Sequence, residues 1–380
     1  VIIYNCTFEK NVYADSNLWE TTMWIDQLSD LVIEKCTFSD CGTQGNVMVI
    51  QRNVMKIRIE NCSIIFSSND VCASGISTYT DNIEIIGNVL KRCNDNSIRI
   101  VCKDGDNQLK LIDNYFYECS CGTVIRIADG SSLSKSPIIK GNTFERNQNL
   151  QFESIVLVIK PNINEILFEN NTFNDIKSSI GGFGCSINNI AKPIELKFTN
   201  CYFIYNEQNQ YGGGFKCNRN QNDNNFKLNM FECVFEHNIG KEKGGAIFID
   251  VKQEVILEYC VFNDNEAKSS SNTNGEGGSI YITERTIENS QSVSIQNCQF
   301  HNNKAMNGFS LFSTNKASLI IDSCSFNDDS FVCSNNCESF VGYDVVLNSL
   351  LLLFQNNSIV FQSTDQKLGG LNIKSPGNIR

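Results

Sequence analysis

Apolar residues alternate with polar ones in short stretches along the whole chain: Ile57 and Ile59, Ile83 and Ile85, Leu109 and Leu111, Ile166 and Phe168, Leu196 and Phe198, Ile256, Val293 and Ile295, Leu319 and Ile321. A period of two predicts strands with one face buried. Each stretch runs into a tetrad of a polar residue, Cys or Asn, one further residue, and Phe or another bulky apolar residue, from Asn5-Cys6-Thr7-Phe8 to Asn356-Asn357-Ser358-Ile359. Roughly a dozen residues later a second short strand is predicted, as at 47–50, 97–100, 124–127, 155–158 and 246–249. Turns of Asn, Asp, Ser and Gly separate the strands, only 4 Pro interrupt them, and no segment keeps a helical period.

The second residue of each tetrad marks the repeat: Cys6, Cys36, Cys62, Asn88, Asn114, Asn142, Asn171, Cys201, Cys233, Cys260, Cys298, Cys324 and Asn357, at spacings of 26 to 38 residues. Units of this size cannot bury an apolar face alone and must stack on their neighbours, which makes the chain a solenoid. All strand and turn, it fits an all-β, right-handed parallel β-helix of about 13 coils, one continuous domain over residues 1–380. The markers are expected to form internal Asn and Cys ladders, and Phe8, Phe38, Phe116, Phe144, Phe173, Phe203, Phe235, Phe262, Phe300 and Phe326 an aromatic spine. A leucine-rich repeat lacks its L-x-x-L-x-L signature here, and a propeller needs four strands per blade.

A net charge of −11 argues against nucleic acid or an anionic membrane surface as partner, since both require a basic patch. The longest apolar run, near Leu350 to Phe354, is strand-sized, so this segment inserts in no membrane as a helix. The chain starts inside a repeat at Val1-Ile2-Ile3-Tyr4, as expected of a piece of a longer protein.

In the second half the tetrad extends to Phe-x-x-Asn: Phe203/Asn206, Phe235/Asn238, Phe262/Asn265 and Phe300/Asn303. A Gly-Gly element follows at Gly213-Gly214-Phe215, Gly244-Gly245-Ala246-Ile247 and Gly277-Gly278-Ser279-Ile280. This pairing resembles the repeat of chlamydial polymorphic outer membrane proteins, found also in protist surface proteins, over about residues 198–312. The resemblance implies a β-helical passenger displayed extracellularly or at the cell surface and used for adhesion. Physically, the glycines are expected to allow positive φ and close coil approach, and the Asn to cap a turn and tolerate the left-handed region.

Parallel β-helices also carry polysaccharide-cleaving sites, so an enzyme, pectate-lyase-like, is the rival reading. Arg99 and Arg126 stand at equivalent places in successive Ile-Arg-Ile strands, with Asp104, Asp106 and Asp129 nearby as acids or Ca²⁺ ligands. The bland alternative is that these arginines pair with those aspartates on the surface. His237 and His301, the only two His, are assigned the same turn place between Phe and Asn, and Asp328-Asp329 is the one adjacent Asp pair. No cofactor is implied beyond the calcium those acids would take.

Most of the 18 Cys occupy repeat positions, with Cys41, Cys93 and Cys119 sharing a second one, and are expected to act as buried small hydrophobes. Candidate disulfides are Cys333 with Cys337, Cys185 with Cys217, and Cys119 or Cys121 with Cys93 or Cys102. Loops leaving one corner, Lys268 to Asn274, Glu207 to Gln210 and Asn218 to Asn225, are expected to bind a host-cell or matrix protein or glycan. N-glycosylation motifs begin at Asn5, Asn61, Asn170 and Asn356, where the repeat itself generates them. An intracellular scaffold, a third reading, requires all thiols to be free.

Overall fold

The computed structural model describes residues 1–10, 21–41, 46–51, 54–66, 74–79, 82–93, 97–101, 108–120, 123–128, 135–149, 156–159, 163–178, 185–188, 194–217, 226–250, 254–269, 275–283, 292–306, 308–313, 318–327, 345–348, 351–360 and 371–374. These are strands and turns, paired in parallel with the strand one coil away, so the chain is an all-β parallel β-solenoid. The strand stacks separate into two compact units, Val1–Lys177 with Cys185–Ile194, and Ser178–Gly184 with Glu195–Arg380.

In the first unit, one sheet stacks strands such as Lys56–Glu60, Asn82–Ile86 and Gln108–Ile112, in the register Ile57↔Ile83↔Leu109 and Ile59↔Ile85↔Leu111. These alternate residues are buried while Arg58, Glu84 and Lys110 face outward, as the period of two requires. A second sheet carries the apolar residue of each tetrad, with Phe116, Phe144 and Phe173 in register and their rings stacked at 4.8 and 5.0 Å. A third sheet runs from Thr21–Ile25 to Cys185–Asn188.

The second unit repeats this plan. Phe203, Phe235, Phe262, Phe300 and Phe326 form a buried stack with centroids 4.6 to 5.0 Å apart. Its own third sheet includes Phe215–Cys217, Ile247–Asp250 and Ile280–Thr283. Very short strands, Glu207–Gln208, Ile239–Gly240 and Glu266–Ala267, pair at the corner after each Phe. Each fully buried aromatic contributes about 1.5–3 kcal/mol of transfer free energy. One expectation is corrected: Val255 and Leu257 face the core, and Ile256 faces outward in register with Ser294.

The Gly-Gly register also shifts. Phe215 pairs with Ile247, which places Gly212 opposite Gly244, with Gly277 and Gly308 at the same place in the following coils. All four hold positive φ, from 63° to 67°. In the first copy the pair is therefore Gly212-Gly213, and Gly214 stands in the place of Ala246 and Ser279. The second glycine is needed for space: a Cβ on Gly245 would come within 2.0 Å of the Gly278 carbonyl oxygen.

Candidate functional site

The corner between the first and second sheets is two residues long in every coil. The first of the two takes the left-handed conformation, for instance Asn61, Asp113, Glu232 and Tyr259 at φ 52° to 54°. Its backbone N–H donates to the strand of the next coil, Asn61 to the Ile86 oxygen at 3.0 Å and Glu232 to the Glu258 oxygen at 3.0 Å. That bond holds even Glu232 and Tyr259 where Asn or Gly is preferred. The second residue is the marker, and it turns inward. Asn114 Nδ2 donates to the Ile85 oxygen (2.8 Å) and to Asn142 Oδ1 (2.9 Å), while the Asn88 backbone N–H donates to Asn114 Oδ1 (3.0 Å).

Cysteine at this place imitates the amide. Cys62 Sγ donates to the Ile33 oxygen (3.6 Å) and the Glu60 oxygen (3.3 Å) and accepts from the Cys36 N–H (3.4 Å), so these thiols are weak capping groups as well as small hydrophobes. Burial pushes the Cys62 thiol up to about 11. Cys93 and Cys119, proposed above as bridge partners, are both free and buried. Cys102, Cys121, Cys333 and Cys337 lie outside the described residues, as do the side chains of Cys185 and Cys217.

The Phe-x-x-Asn asparagine forms a second ladder at the next corner. Asn238 Nδ2 donates to the Phe203 oxygen (2.8 Å) and to Asn265 Oδ1 (2.9 Å), and Asn265 Nδ2 donates to Asn303 Oδ1 (3.1 Å). Here the expectation is corrected: the asparagine is buried, and the residue before it, Tyr205, His237, Asp264 or Asn302, is left-handed. It follows that His237 and His301 do not share a place. His237 is this left-handed residue, stacked on Tyr205 at 4.8 Å with Glu236 at 3.6 Å, whereas His301 ends the preceding strand.

Arg99 and Arg126 are brought together, directly in register in the third sheet of the first unit. Ile98, Ile100, Ile125 and Ile127 are buried, so the arginines face outward and half-buried. Both Nε atoms are enclosed and, among the described residues, have no hydrogen-bond partner. Two arginines on neighbouring strands, whose backbones lie about 4.8 Å apart, repel each other, and the planar fork of each guanidinium matches a carboxylate. Asp104, Asp106, Asp129, Asp328 and Asp329 lie outside the described residues. Among the described residues no three His, Cys, Asp or Glu side chains are placed to hold a metal ion.

No protein-family model matches the chain. No curated protein is similar to it either. Among solved structures, a mutant of the PL6 family alginate lyase AlyGC is similar over 99% of this chain and 85% of that one, at 10% identity and a TM-score of 0.18. A superposition this loose carries no argument about chemistry, and the fold rests on the strand pairing itself.

Sequence reasoning missed a covered aromatic row on the outward face of the second unit's third sheet, formed by Phe248, Tyr281 and Phe312 and extended by Tyr211 of the preceding corner. Tyr211, Phe248, Tyr281 and Phe312 stack at 4.7, 5.5 and 5.4 Å. Lys243 Nζ donates to the Tyr281 hydroxyl (2.9 Å), lies 4.4 Å from its ring centre, and pairs with Glu276 at 3.1 Å. Burial works against the Lys243 charge, but Tyr281 and Glu276 more than offset it and raise its pKa; burial also raises that of Tyr281. The aromatic after the apolar residue in Ile247-Phe248 and Ile280-Tyr281 was the available signal.

The loops expected at one corner belong to two. Glu207–Gln208 is a paired strand, and 207–210 and 268–274 lie between the second and third sheets, whereas 218–225 joins the third sheet to the first. Connections of this last kind vary from two residues, at 349–350, to nine, at 129–137.

Proposed function

We propose that the chain is a non-enzymatic cell-surface or secreted scaffold that binds a host-cell or matrix protein or glycan through the variable connections on either side of its third sheets. One observation carries this reading: the first corner keeps two residues in every coil, while the connections on either side of the third sheets vary, from 6 residues at 40–45 to 17 at 328–344 on entry and from two to nine on exit. A constant corner with length variation at the others is how solenoids present recognition segments. The resemblance of the Phe-x-x-Asn and Gly-Gly repeats to polymorphic outer membrane proteins supports display outside the cell. The test is binding of the full chain to immobilised matrix proteins and a glycan array. Deletion of 218–225, 270–274 or 284–291 is expected to weaken binding at least tenfold with the thermal midpoint retained, and undiminished binding by all three deletions overturns the reading.

A second reading is favoured by the Arg99/Arg126 register, which suits a carboxylated sugar. Incubation with polygalacturonate decides whether that pair serves catalysis: unsaturated product, lost in Arg126→Ala, would replace the non-enzymatic reading by a lyase.

A further inference from the structure

We propose that the solvent edge of the first corner is an N-linked glycosylation face, with Asn5, Asn61 and Asn170 as acceptors and Asn356 as a poorer one. The proposal deepens the extracellular reading and rests on it for its biological setting. The repeat generates the motif Asn-x-Ser/Thr at Asn5-Cys6-Thr7, Asn61-Cys62-Ser63, Asn170-Asn171-Thr172 and Asn356-Asn357-Ser358. What the fold adds is sorting. The middle residue of each motif is the marker, and Cys62 and Asn171 are fully buried. The acceptor one place earlier holds φ 53°, 52°, 54° and 55° respectively, and all four are exposed. The left-handed conformation is what separates the two neighbours, sending one side chain inward and the other out.

The hydroxyl residue is equally free of core duty. Thr7 is exposed, Ser63 and Thr172 are half-buried, and all three lie on the outer row of the second sheet. Among the described residues none accepts a hydrogen bond from the side-chain amides of Asn5, Asn61 or Asn170, whereas Asn356 Nδ2 is tied to Asp322 Oδ1 at 2.9 Å. At Asn61 the next coil presents Gly87, where a Cβ would come within 2.6 Å of Asn61 Oδ1, so glycine leaves the side chain room to lie over the corner. The ladder asparagines are the opposite case. Asn142 Nδ2 donates to the Leu111 and Lys140 oxygens and to Asn171 Oδ1, and substitution there would break the core.

In the transfer, Nδ2 bonds to the anomeric carbon of a polyprenyl-diphosphate-linked oligosaccharide. The bond from that carbon to the diphosphate oxygen breaks, the lipid diphosphate leaves with the electron pair, and one amide proton is released. Asn200 and Asn297 are internal controls: they share the conformation, at φ 51° and 53°, but are followed by Cys-Tyr and Cys-Gln.

The experiment fuses the full chain to a secretory signal in a eukaryotic host and maps sites by peptide mass after peptide N-glycosidase, which leaves Asp at each occupied Asn. Occupancy is expected at Asn5, Asn61 and Asn170, lower at Asn356, and none at Asn200 or Asn297. Each of Asn5→Gln, Asn61→Gln and Asn170→Gln should remove one glycan's mass with the fold retained and only a small fall in the thermal midpoint, since Gln suits positive φ less well than Asn. Translation with microsomes reads the same gel shift from a chain that is not exported. A chain carrying no glycan at Asn5, Asn61 and Asn170 in either assay overturns the proposal. Forced secretion supplies the compartment whatever the native address, so modification in the host beside an unmodified native protein counts against the extracellular reading alone.

Discussion

In the first unit the corner between the first and second sheets is closed by Cys36 and Cys62 and then by Asn88, Asn114, Asn142 and Asn171, while Cys41, Cys93, Cys119 and finally Asn147 stand at the next corner. In the second unit each corner keeps one chemistry: Cys201, Cys233, Cys260, Cys298 and Cys324 close the first, and Asn206, Asn238, Asn265 and Asn303 the second. Amide and thiol make the same two contacts, to the carbonyl two residues back and to a carbonyl one coil earlier. They differ in strength. The amide bonds run near 2.8–3.1 Å and join successive rungs, as from Asn142 to Asn171, while the Cys233 thiol reaches its two carbonyls at 3.5 Å. Among the described residues each coil from Asn88 to Cys298 therefore keeps at least one amide corner, whereas the coil of Cys36 and Cys41 has thiols at both.

The largest expected effect falls on one unit alone. Gly245→Ala drives a Cβ into the Gly278 carbonyl oxygen and should cost at least about 4 kcal/mol, seen as lost hydrogen-exchange protection at 226–283 with 56–60 and 82–86 still protected. Equal loss in both units would break the comparison.

Next come the rungs themselves. Asn114→Ala strands the Asn88 and Ile85 partners and should cost about 2–4 kcal/mol in denaturant unfolding. Cys260→Ala should cost about 1 kcal/mol, since only weak thiol bonds and one small side chain are lost. Equal costs would show that amide and thiol are energetically alike.

Alkaline pH should separate the two ladders, because amides do not titrate. The Cys62 thiol has a folded pKa of about 11 against 9.0 unfolded, so its protonated form is preferred in the fold. Its contribution is fully present below pH 9.0, declines as the unfolded thiol ionises, and is gone above about 11. Denaturant midpoints measured across that window should fall for the wild type and fall less for Cys62→Ala. The smallest effect is on the charged outer rows. Glu84→Gln loses pairs with Lys110 (2.8 Å) and Arg58 (3.5 Å) and should cost under about 1 kcal/mol, vanishing in high salt.

Much of this was legible before any coordinates. The inward Ile57/Ile59 and Ile83/Ile85 pairs, the Phe stack and the Asn ladder follow from period-two alternation and a repeat whose members can bury themselves only by stacking. Offsets of one residue were not legible. Ile256 lies between two other apolar residues, Gly213 lies between two glycines, and His301 sits beside two asparagines, so local sequence fits two registers equally well and only the neighbouring coil chooses. The candidate site was legible as the Arg99/Arg126 spacing, but not that both Nε atoms are enclosed with no partner among the described residues.

By itself, then, the sequence determined a parallel solenoid and the identity of its ladders, because periodic burial is a local code. Only the tertiary structure decided which side of each corner a residue occupies. That choice is set by left-handed residues such as Asn61 and His237, held there by the hydrogen bonds their N–H groups donate to the Ile86 and Asn263 oxygens of the next coil, 25 and 26 residues further along the chain. Adjacent asparagines in one motif thus become a buried rung at Asn171 and a solvent-facing amide at Asn170.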